Sequence, residues 1–249
     1  MPRVVLLGAT SAIAAEVAVL YARRGDRLHL VGRSADKLRA VAARCEALGA
    51  ARITTARADF TNRDECSQVV ARAREALGEI DTALVAHGDL GDQLASEQSA
   101  DLAAATFEVN LLSVVNLLIP LANAMEPRRG GRIGVITSVA GDRGRPRNYT
   151  YGAAKGALHI YLQGLRSRLY ASGVTVTTLK VGPVDTPMTR DHTKNMLFAQ
   201  PGAVAEAIVR AMDARTTEAY IPSYWRWIMA VVKHTPEPVF QRLAFLSGR

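Results

Sequence analysis

Cysteine is nearly absent from this chain. It has two in 249 residues, Cys45 and Cys66, with no Cys-x-x-Cys and no histidine cluster beside either. That excludes a disulfide framework and a thiolate zinc site, and reads as reduced, inert thiols in a cytoplasmic protein. Aromatic residues are scarce at 6%, although 49% of the chain is hydrophobic. Ala, Val and Leu must therefore fill the core, which suits helices packed closely on a sheet. No apolar run reaches the ~20 residues that span a bilayer. Pro2-Arg3 followed by an apolar and then Ala-rich stretch resembles a signal peptide. However, Gly8-Ala9-Thr10-Ser11 interrupts it and Glu16 falls inside it, so a strand, turn and helix explain it better. Acidic residues are in deficit, 23 against 31 lysines and arginines, for a net charge of +8. That balance favours anionic partners such as phosphorylated cofactors or acidic lipid surfaces. The arginines are scattered and no nucleic-acid module signature is present, so nucleic acid is not an expected partner.

What the chain does have is alternation. Strand patterns fall at Arg3 to Leu7, Arg27 to Val31, Ile53 to Ala56, Thr82 to Ala86, Arg132 to Ser138 and Val174 to Val181. Helical patterns lie between and after them, over Ser11 to Arg24, Ala35 to Leu48, Arg63 to Leu77, Leu102 to Met125, Tyr151 to Tyr170 and Val204 to Ala214. Such β-α alternation predicts an α/β fold with a parallel sheet covered by helices on both faces. No linker or repeat interrupts it, so residues 1–249 read as one domain. Within it, 187–200 is expected as a substrate loop and 220–249 as an apolar and basic C-terminal extension. Leu111 to Leu121 is apolar on nearly every face, as in a core helix or one that partly faces a second subunit.

Three residues carry chemistry. Tyr151 and Lys155 stand four apart, so on a helix they share a face. A nearby ammonium favours the charged form of a phenol and would move its pKa from about 10 toward neutrality, where proton transfer is most useful. Ser138 ends the apolar strand Arg132 to Ser138, 13 residues before Tyr151, so its hydroxyl would point toward the same site. Gly8 follows the first strand and opens a helix, the place of a dinucleotide-binding turn whose free amides receive phosphate. The turn reads Gly8-Ala9-Thr10-Ser11-Ala12-Ile13-Ala14, a G-x-x-x-G-x-G pattern with Ala12 and Ala14 for the later glycines. The second strand ends Gly32-Arg33-Ser34 with no acid to bind ribose hydroxyls. Arg33 can instead fork onto a 2′-phosphate, which favours NADP(H) over NAD(H).

Taken together, Gly8, Ser138, Tyr151 and Lys155 resemble the short-chain dehydrogenase/reductase family over about residues 3–215. The resemblance implies a single Rossmann-type doubly wound sheet and hydride transfer between a nicotinamide and a ketone. It implies that Tyr151 is the general acid/base, that Ser138 hydrogen-bonds the same oxygen, and that Lys155 lowers the phenol pKa and holds the nicotinamide ribose. Asn110 would hold the water of a proton relay. Cofactor contacts would come from Gly8, Thr10, Ser11, Ala12, Ile13, Arg33, Asp59, Phe60, Gly88, Tyr151 and Lys155. The segment Gly182-Pro183-Val184-Asp185-Thr186 would place the nicotinamide through Gly182, Pro183, Val184 and Thr186, with Val181 where proline is usual. Both asparagines of the family's Asn-Asn-Ala-Gly are replaced, by Val85 and Ala86, and His87 stands for its alanine. The family also implies a homodimer or homotetramer.

Two features bear on substrate. Arg143, Arg145 and Arg147 alternate in the loop before Tyr151, either as a solvated loop or as a clamp for a phosphate or other acid. From Tyr220 to His234, and again from Pro238 to Leu246, aromatic, apolar and basic residues mix, with both tryptophans at 225 and 227. Such a segment lies in a membrane interface, covers a substrate pocket or packs on a partner subunit. With Ala86-His87-Gly88-Asp89-Leu90-Gly91-Asp92 and the alanine-substituted turn, it resembles the subgroup around decaprenylphosphoryl-2-keto-ribose reductase. That likeness implies a lipid-linked keto sugar and peripheral contact with a membrane. Another hydrophobic ketone, of acyl or steroid type, or a non-catalytic NADP-binding role are the alternatives.

Overall fold

The computed structural model describes residues 1–190 and 193–243. The parts of the 187–200 and 220–249 segments at 191–192 and 244–249 lie outside the described residues. Seven strands form one sheet: β1 (Arg3–Leu7), β2 (Arg27–Gly32), β3 (Arg52–Arg57), β4 (Thr82–Val85), β5 (Gly131–Ser138), β6 (Val174–Val181) and β7 (Glu218–Ile221). Their order is β3-β2-β1-β4-β5-β6-β7, and every pairing is parallel. The helices are α1 (Ala12–Arg23), α2 (Ala35–Glu46), α3 (Arg63–Leu77), α4 (Gln93–Gln98), α5 (Ala100–Phe107), α6 (Ser113–Met125), α7 (Tyr149–Leu169), α8 (Pro201–Asp213), α9 (Trp225–His234) and α10 (Glu237–Arg242).

The period of two along each strand sorts side chains between two cores. Val4 and Leu6 of β1 join α1, α2 and α8 on one face, whereas Val5 and Leu7 join α3, α6 and α7 on the other. All four are 0–1% exposed, as expected of strands covered on both faces. Each such side chain contributes about 1.5–3 kcal/mol by leaving water. Cys45 and Cys66 are free and buried in these cores, and burial pushes both thiols up to about 11, so neither is a ready nucleophile.

Three elements depart from the sequence reading. The stretch expected as one helix from Leu102 to Met125 is interrupted by a single π turn, Glu108–Leu112. The helical stretch Ala100–Met125 is also long and apolar enough to cross a bilayer, with mean hydropathy 1.8, where sequence alone counted no such run. Its inner side chains, Leu117, Leu118 and Leu121, are wholly buried against the sheet, while Leu112 and Ile119 face outward. Finally, the segment expected as a C-terminal extension begins inside the sheet, because Tyr220 and Ile221 belong to β7, paired with Lys180 and Val181. Its next turn, α9, packs Trp225, Met229 and Val232 with Val139 into a small third core.

Candidate active site

Strand order reverses between β1 and β4, so the loops after these strands part at their carboxyl ends and leave a crevice. A cleft of about 230 Å³ lies there, walled by Gly8, Thr10 and Ser11, by Gly32 and Arg33, by Asp59 to Thr61, and by Ala86 to Gly88. Gly8 is required at its position. Its φ is +88°, and a Cβ would stand 2.7 Å from the His87 backbone nitrogen. The Ser11 hydroxyl caps α1 by accepting from the Ala14 amide at 3.2 Å. The amides of Ala12 and Ile13, in the first turn, have no intrahelical acceptor and are left for a ligand.

The far wall is built by β2 and β3. Arg33 is exposed at the cleft mouth, and its backbone carbonyl accepts from Arg57 Nε at 3.2 Å. Asp59 accepts from the Thr61 amide and hydroxyl at 3.0 and 2.9 Å. These bonds, with Arg33 and Arg57 nearby, hold its carboxyl below the usual range. Phe60 stacks at a tilt on His87, 4.7 Å between ring centroids. The Ser113 hydroxyl donates to Val109 O at 2.7 Å, so its 2.7 Å bond to His87 Nε2 must use the imidazole proton. His87 is thus the Nε2–H tautomer, and burial pushes its pKa down to about 3, so the ring is neutral.

The Tyr151 group sits where a strand, a short 3-10 turn and a helix meet. Ser138 closes β5 and caps the short 3-10 turn Val139–Asp142, its Oγ accepting from Ala140 N at 3.1 Å. That turn lies flat on α7 because glycines face it. A Cβ on Gly152 would meet Ala140 O at 2.8 Å, and one on Gly156 would meet Gly141 O at 2.8 Å. The close approach brings the Ser138 hydroxyl near enough to the Tyr151 phenol to favour its ionised form. Lys155, one turn on and 2% exposed, holds its ammonium 5.6 Å from the Tyr151 ring centroid. Gly88 closes the group from the cleft side, since a Cβ there would stand 2.9 Å from Asn110 Oδ1 and 3.2 Å from Lys155 Nζ.

The electrostatics correct the expected direction. Burial pushes the Tyr151 phenol up to about 12, and the Ser138 hydroxyl offsets this only in part. Burial likewise pushes Lys155 down to about 8. Desolvation disfavours both charged forms. Asn110, fully buried in the π turn, is also committed. Its Nδ2 donates to Asp89 O and Thr106 O at 2.7 and 2.9 Å, and its Oδ1 accepts from Asp89 N at 3.1 Å. The amide therefore braces the loop after Gly88.

The segment after β6 forms the remaining wall. Gly182 N donates to Ile221 O at 2.9 Å, Val184 is buried, and Asp185 N and Ala199 N lace the segment to residue 199 and Pro183. The Thr186 amide donates to Thr189 Oγ1 at 3.2 Å, and Met188, just beyond, reaches the cleft. Gly182 must be small, because a Cβ would fall 2.1 Å from Trp225 Nε1. Sequence reasoning missed the buried network behind this wall. Lys180 Nζ donates to Asp142 Oδ1 at 2.8 Å and pairs with Glu218 at 3.0 Å, and Tyr220 OH donates to Asp142 Oδ2 at 2.7 Å. It ties the turn after Ser138 to β6 and β7. The lone signal was Lys180, the one charged residue in a strand otherwise made of Val, Thr and Leu.

The arginines of the loop before Tyr151 separate. Arg143 donates to Val232 O and Thr235 O at 2.6 and 2.5 Å, pairs with Glu237 at 2.6 Å and lies 3.8 Å over the Phe240 ring. It fastens the end of α9 and is not available as a clamp. Arg145 contacts Met229 Sδ, and Arg147 is exposed.

Residues 2–197 match the model of the short chain dehydrogenase family. The chain is 34% identical over 240 residues to an uncharacterized oxidoreductase of Mycobacterium tuberculosis, covering 96% of each. It is 32% identical over 244 residues to an uncharacterized oxidoreductase of Streptomyces coelicolor, covering 97% of this chain and 96% of the other. Among solved structures, an actinorhodin polyketide ketoreductase variant with NADPH superposes with a TM-score of 0.79 at 25% identity, over 88% of this chain and 95% of that one. Levodione reductase shares the fold at a TM-score of 0.79 and 22% identity, over 88% and 94%.

Proposed function

The chain belongs to the short chain dehydrogenase family of oxidoreductases, and we propose that within it the protein is an NADPH-dependent ketone reductase with Tyr151 as general acid. The observation that carries this reading is the Tyr151 phenol, with the Ser138 hydroxyl acting on it and a buried Lys155 one helical turn on, behind Gly88 of the cleft. Gly8 leaves room for a pyrophosphate, with the Ala12 and Ile13 amides behind it. Thr10 and Ser11 line the same turn, Asp59 and Phe60 would flank the adenine, and Gly88 lines the cleft between them and Lys155. Arg33 would receive the 2′-phosphate, Lys155 would hold the nicotinamide ribose, and Gly182, Pro183, Val184 and Thr186 would wall the nicotinamide. The NADPH of the ketoreductase relative points the same way.

Bound there, NADPH would supply the hydride that adds to a carbonyl carbon. Tyr151 gives its phenolic proton to the oxygen that becomes the alcohol. A pKa of about 12 keeps that proton in place at neutral pH, so the phenol stands ready as an acid. Ser138 hydrogen-bonds the same oxygen. Lys155, at about 8, is mostly protonated at neutral pH and returns a proton toward Tyr151, with water on the Asn110 carbonyl leading to solvent. The test is NADPH oxidation with keto sugars and lipid-linked ketones by wild type and Tyr151→Phe. Turnover should fall by roughly 10²–10⁴-fold while NADPH affinity stays unchanged. Near-full turnover in the variant would refute the assignment. Loss of NADPH binding in wild type would instead favour neither this reading nor a non-catalytic NADP-binding role.

The substrate reading is a keto sugar carried on a lipid phosphate, in the manner of decaprenylphosphoryl-2-keto-ribose reductase. What supports it is the outer face of α9, where Trp227 is 73% and Val231 62% exposed beside the cations Arg226 and Lys233. An apolar stripe with flanking cations suits the surface of an anionic membrane, where a lipid-linked substrate resides. The protein would then be cytoplasmic and peripheral at the membrane. Another hydrophobic ketone, of acyl or steroid type, is the second reading, favoured by the same apolar face. Leu112 of the π turn, Ile119 of α6 and Ile160 of α7, all exposed, suit the contact of a homodimer or homotetramer.

A further inference from the structure

The loop between the Val139–Asp142 turn and α7 holds a cation that the fold leaves unanswered. Arg145 is half-buried, yet no carboxylate lies within ion-pair distance of its guanidinium among the described residues. Its Nε is buried with no hydrogen-bond partner. Its one side-chain contact of this kind is Nη2 to Met229 Sδ at 3.2 Å, and a thioether is a weak acceptor. Asp142, the carboxylate that acts on it, is already taken by Lys180 and Tyr220. Arg143, two residues earlier, shows what a structural arginine looks like in this loop, with two carbonyls, a carboxylate and an aromatic face.

Burial without compensation makes the charge costly, and it lowers the Arg145 pKa from its ordinary value. A group held at such cost is explained when a ligand answers it. Arg145 stands six residues before Tyr151, in the loop that leads into α7. The opposite wall is α9, whose inner face carries Met229 and, one turn earlier, Trp225. The Trp225 Nε1 is also buried without an acceptor, beside Gly182.

We propose that Arg145 is a specificity-determining residue that receives a phosphate ester of the substrate between the loop before Tyr151 and α9. This rests on the reductase reading and deepens it, because it separates the substrate's phosphate from the cofactor phosphates at Gly8 and Arg33. A guanidinium fork matches phosphate oxygens two at a time, and Lys cannot replace it without losing that geometry.

The experiment is a calorimetric titration with phenyl phosphate and with inorganic phosphate, in saturating NADP⁺ and again without it, on wild type, Arg145→Gln, Arg145→Lys and Arg147→Gln. NADPH affinity and thermal melting are measured on the same samples. Wild type and Arg147→Gln should bind phenyl phosphate alike. Arg145→Gln should bind it at least tenfold more weakly, and Arg145→Lys should fall between them. NADPH affinity should change less than twofold throughout, and Arg145→Gln should melt no lower than wild type. Equal phosphate binding in wild type and Arg145→Gln, or none in wild type, overturns the proposal. So does an Arg145→Gln melt well below wild type, since the guanidinium would then be holding the fold. If no variant binds NADPH, the reductase reading fails, whereas the phosphate difference between Arg145 and Arg147 variants still decides the anion site.

Discussion

Replacing Gly156 by alanine sets two effects against each other within one methyl group. Gly156 lies inside α7, where alanine is favoured over glycine by about 1 kcal/mol. Propensity alone therefore predicts a more stable protein. The new Cβ, however, would stand 2.8 Å from Gly141 O, against the 3.4 Å and beyond of ordinary contact. The obstacle is backbone, so the turn Val139–Asp142 and α7 must part by about 0.6 Å, the difference of those two distances. Overpacking of this kind costs about 1–3 kcal/mol, so the sum ranges from neutral to about 2 kcal/mol of destabilisation. The effect on rate is sharper. The displaced turn begins at Ser138 and α7 carries Tyr151, and misplacement of reacting groups by ~1 Å costs up to about 10²-fold. We expect kcat to fall by roughly tenfold with NADPH affinity unchanged. Gly164→Ala is the control, on the same helix with nothing within 4 Å of the added methyl. It should gain about 1 kcal/mol, or ~2–4 °C in Tm for a chain of this size, and keep full turnover. A Gly156→Ala protein that melts higher than wild type and keeps its kcat would refute the reasoning.

Two further predictions follow, one from burial and one from exposure. His29, His87 and His159 are pushed down to about 4, 3 and 4 by loss of water, so folding opposes their protonation. Their folded pKa values lie below the unfolded value near 6.5. The unfolded chain therefore binds more protons below that pH, and stability is full above pH ~6.5 and falls as pH drops toward 4. Urea midpoints between pH 7 and 4 should decline, by up to ~1.4 kcal/mol per pH unit for each histidine, and a flat profile would contradict this. The outer face of α9 should bring the protein down with anionic phospholipid vesicles but not with zwitterionic ones. Trp227→Ser should abolish this without altering turnover on a water-soluble ketone, and undiminished sedimentation of that variant would remove the membrane reading.

Much of the fold could be read from periodicity, because apolar strands with strict alternation of helices leave few arrangements. α3 and β6 even have the boundaries expected of them. β7 escaped notice because Glu218-Ala219-Tyr220-Ile221 is a short edge strand paired only with β6, and three of its four side chains are half-buried. The π turn at Asn110 has no local signature. It goes with an amide that must reach both Asp89 and Thr106. The residues brought together at Tyr151 were visible as spacing, but their electrostatics were not. Spacing places a cation near a phenol, whereas depth of burial, a tertiary property, decides which way each group shifts. The loop arginines make the same point. Arg143 and Arg145 look alike in sequence, and only α9, from 80 residues downstream and beyond, distinguishes the fastened one from the unanswered one.

The most direct test of the account is a titration of the purified protein with NADPH and, separately, NADH, followed by nicotinamide fluorescence, on wild type and Arg33→Asp. The account predicts that wild type binds NADPH at least tenfold more tightly than NADH and that Arg33→Asp removes the difference. An unchanged preference in Arg33→Asp would contradict the role of Arg33. Failure of wild type to bind either nucleotide would contradict the reductase itself.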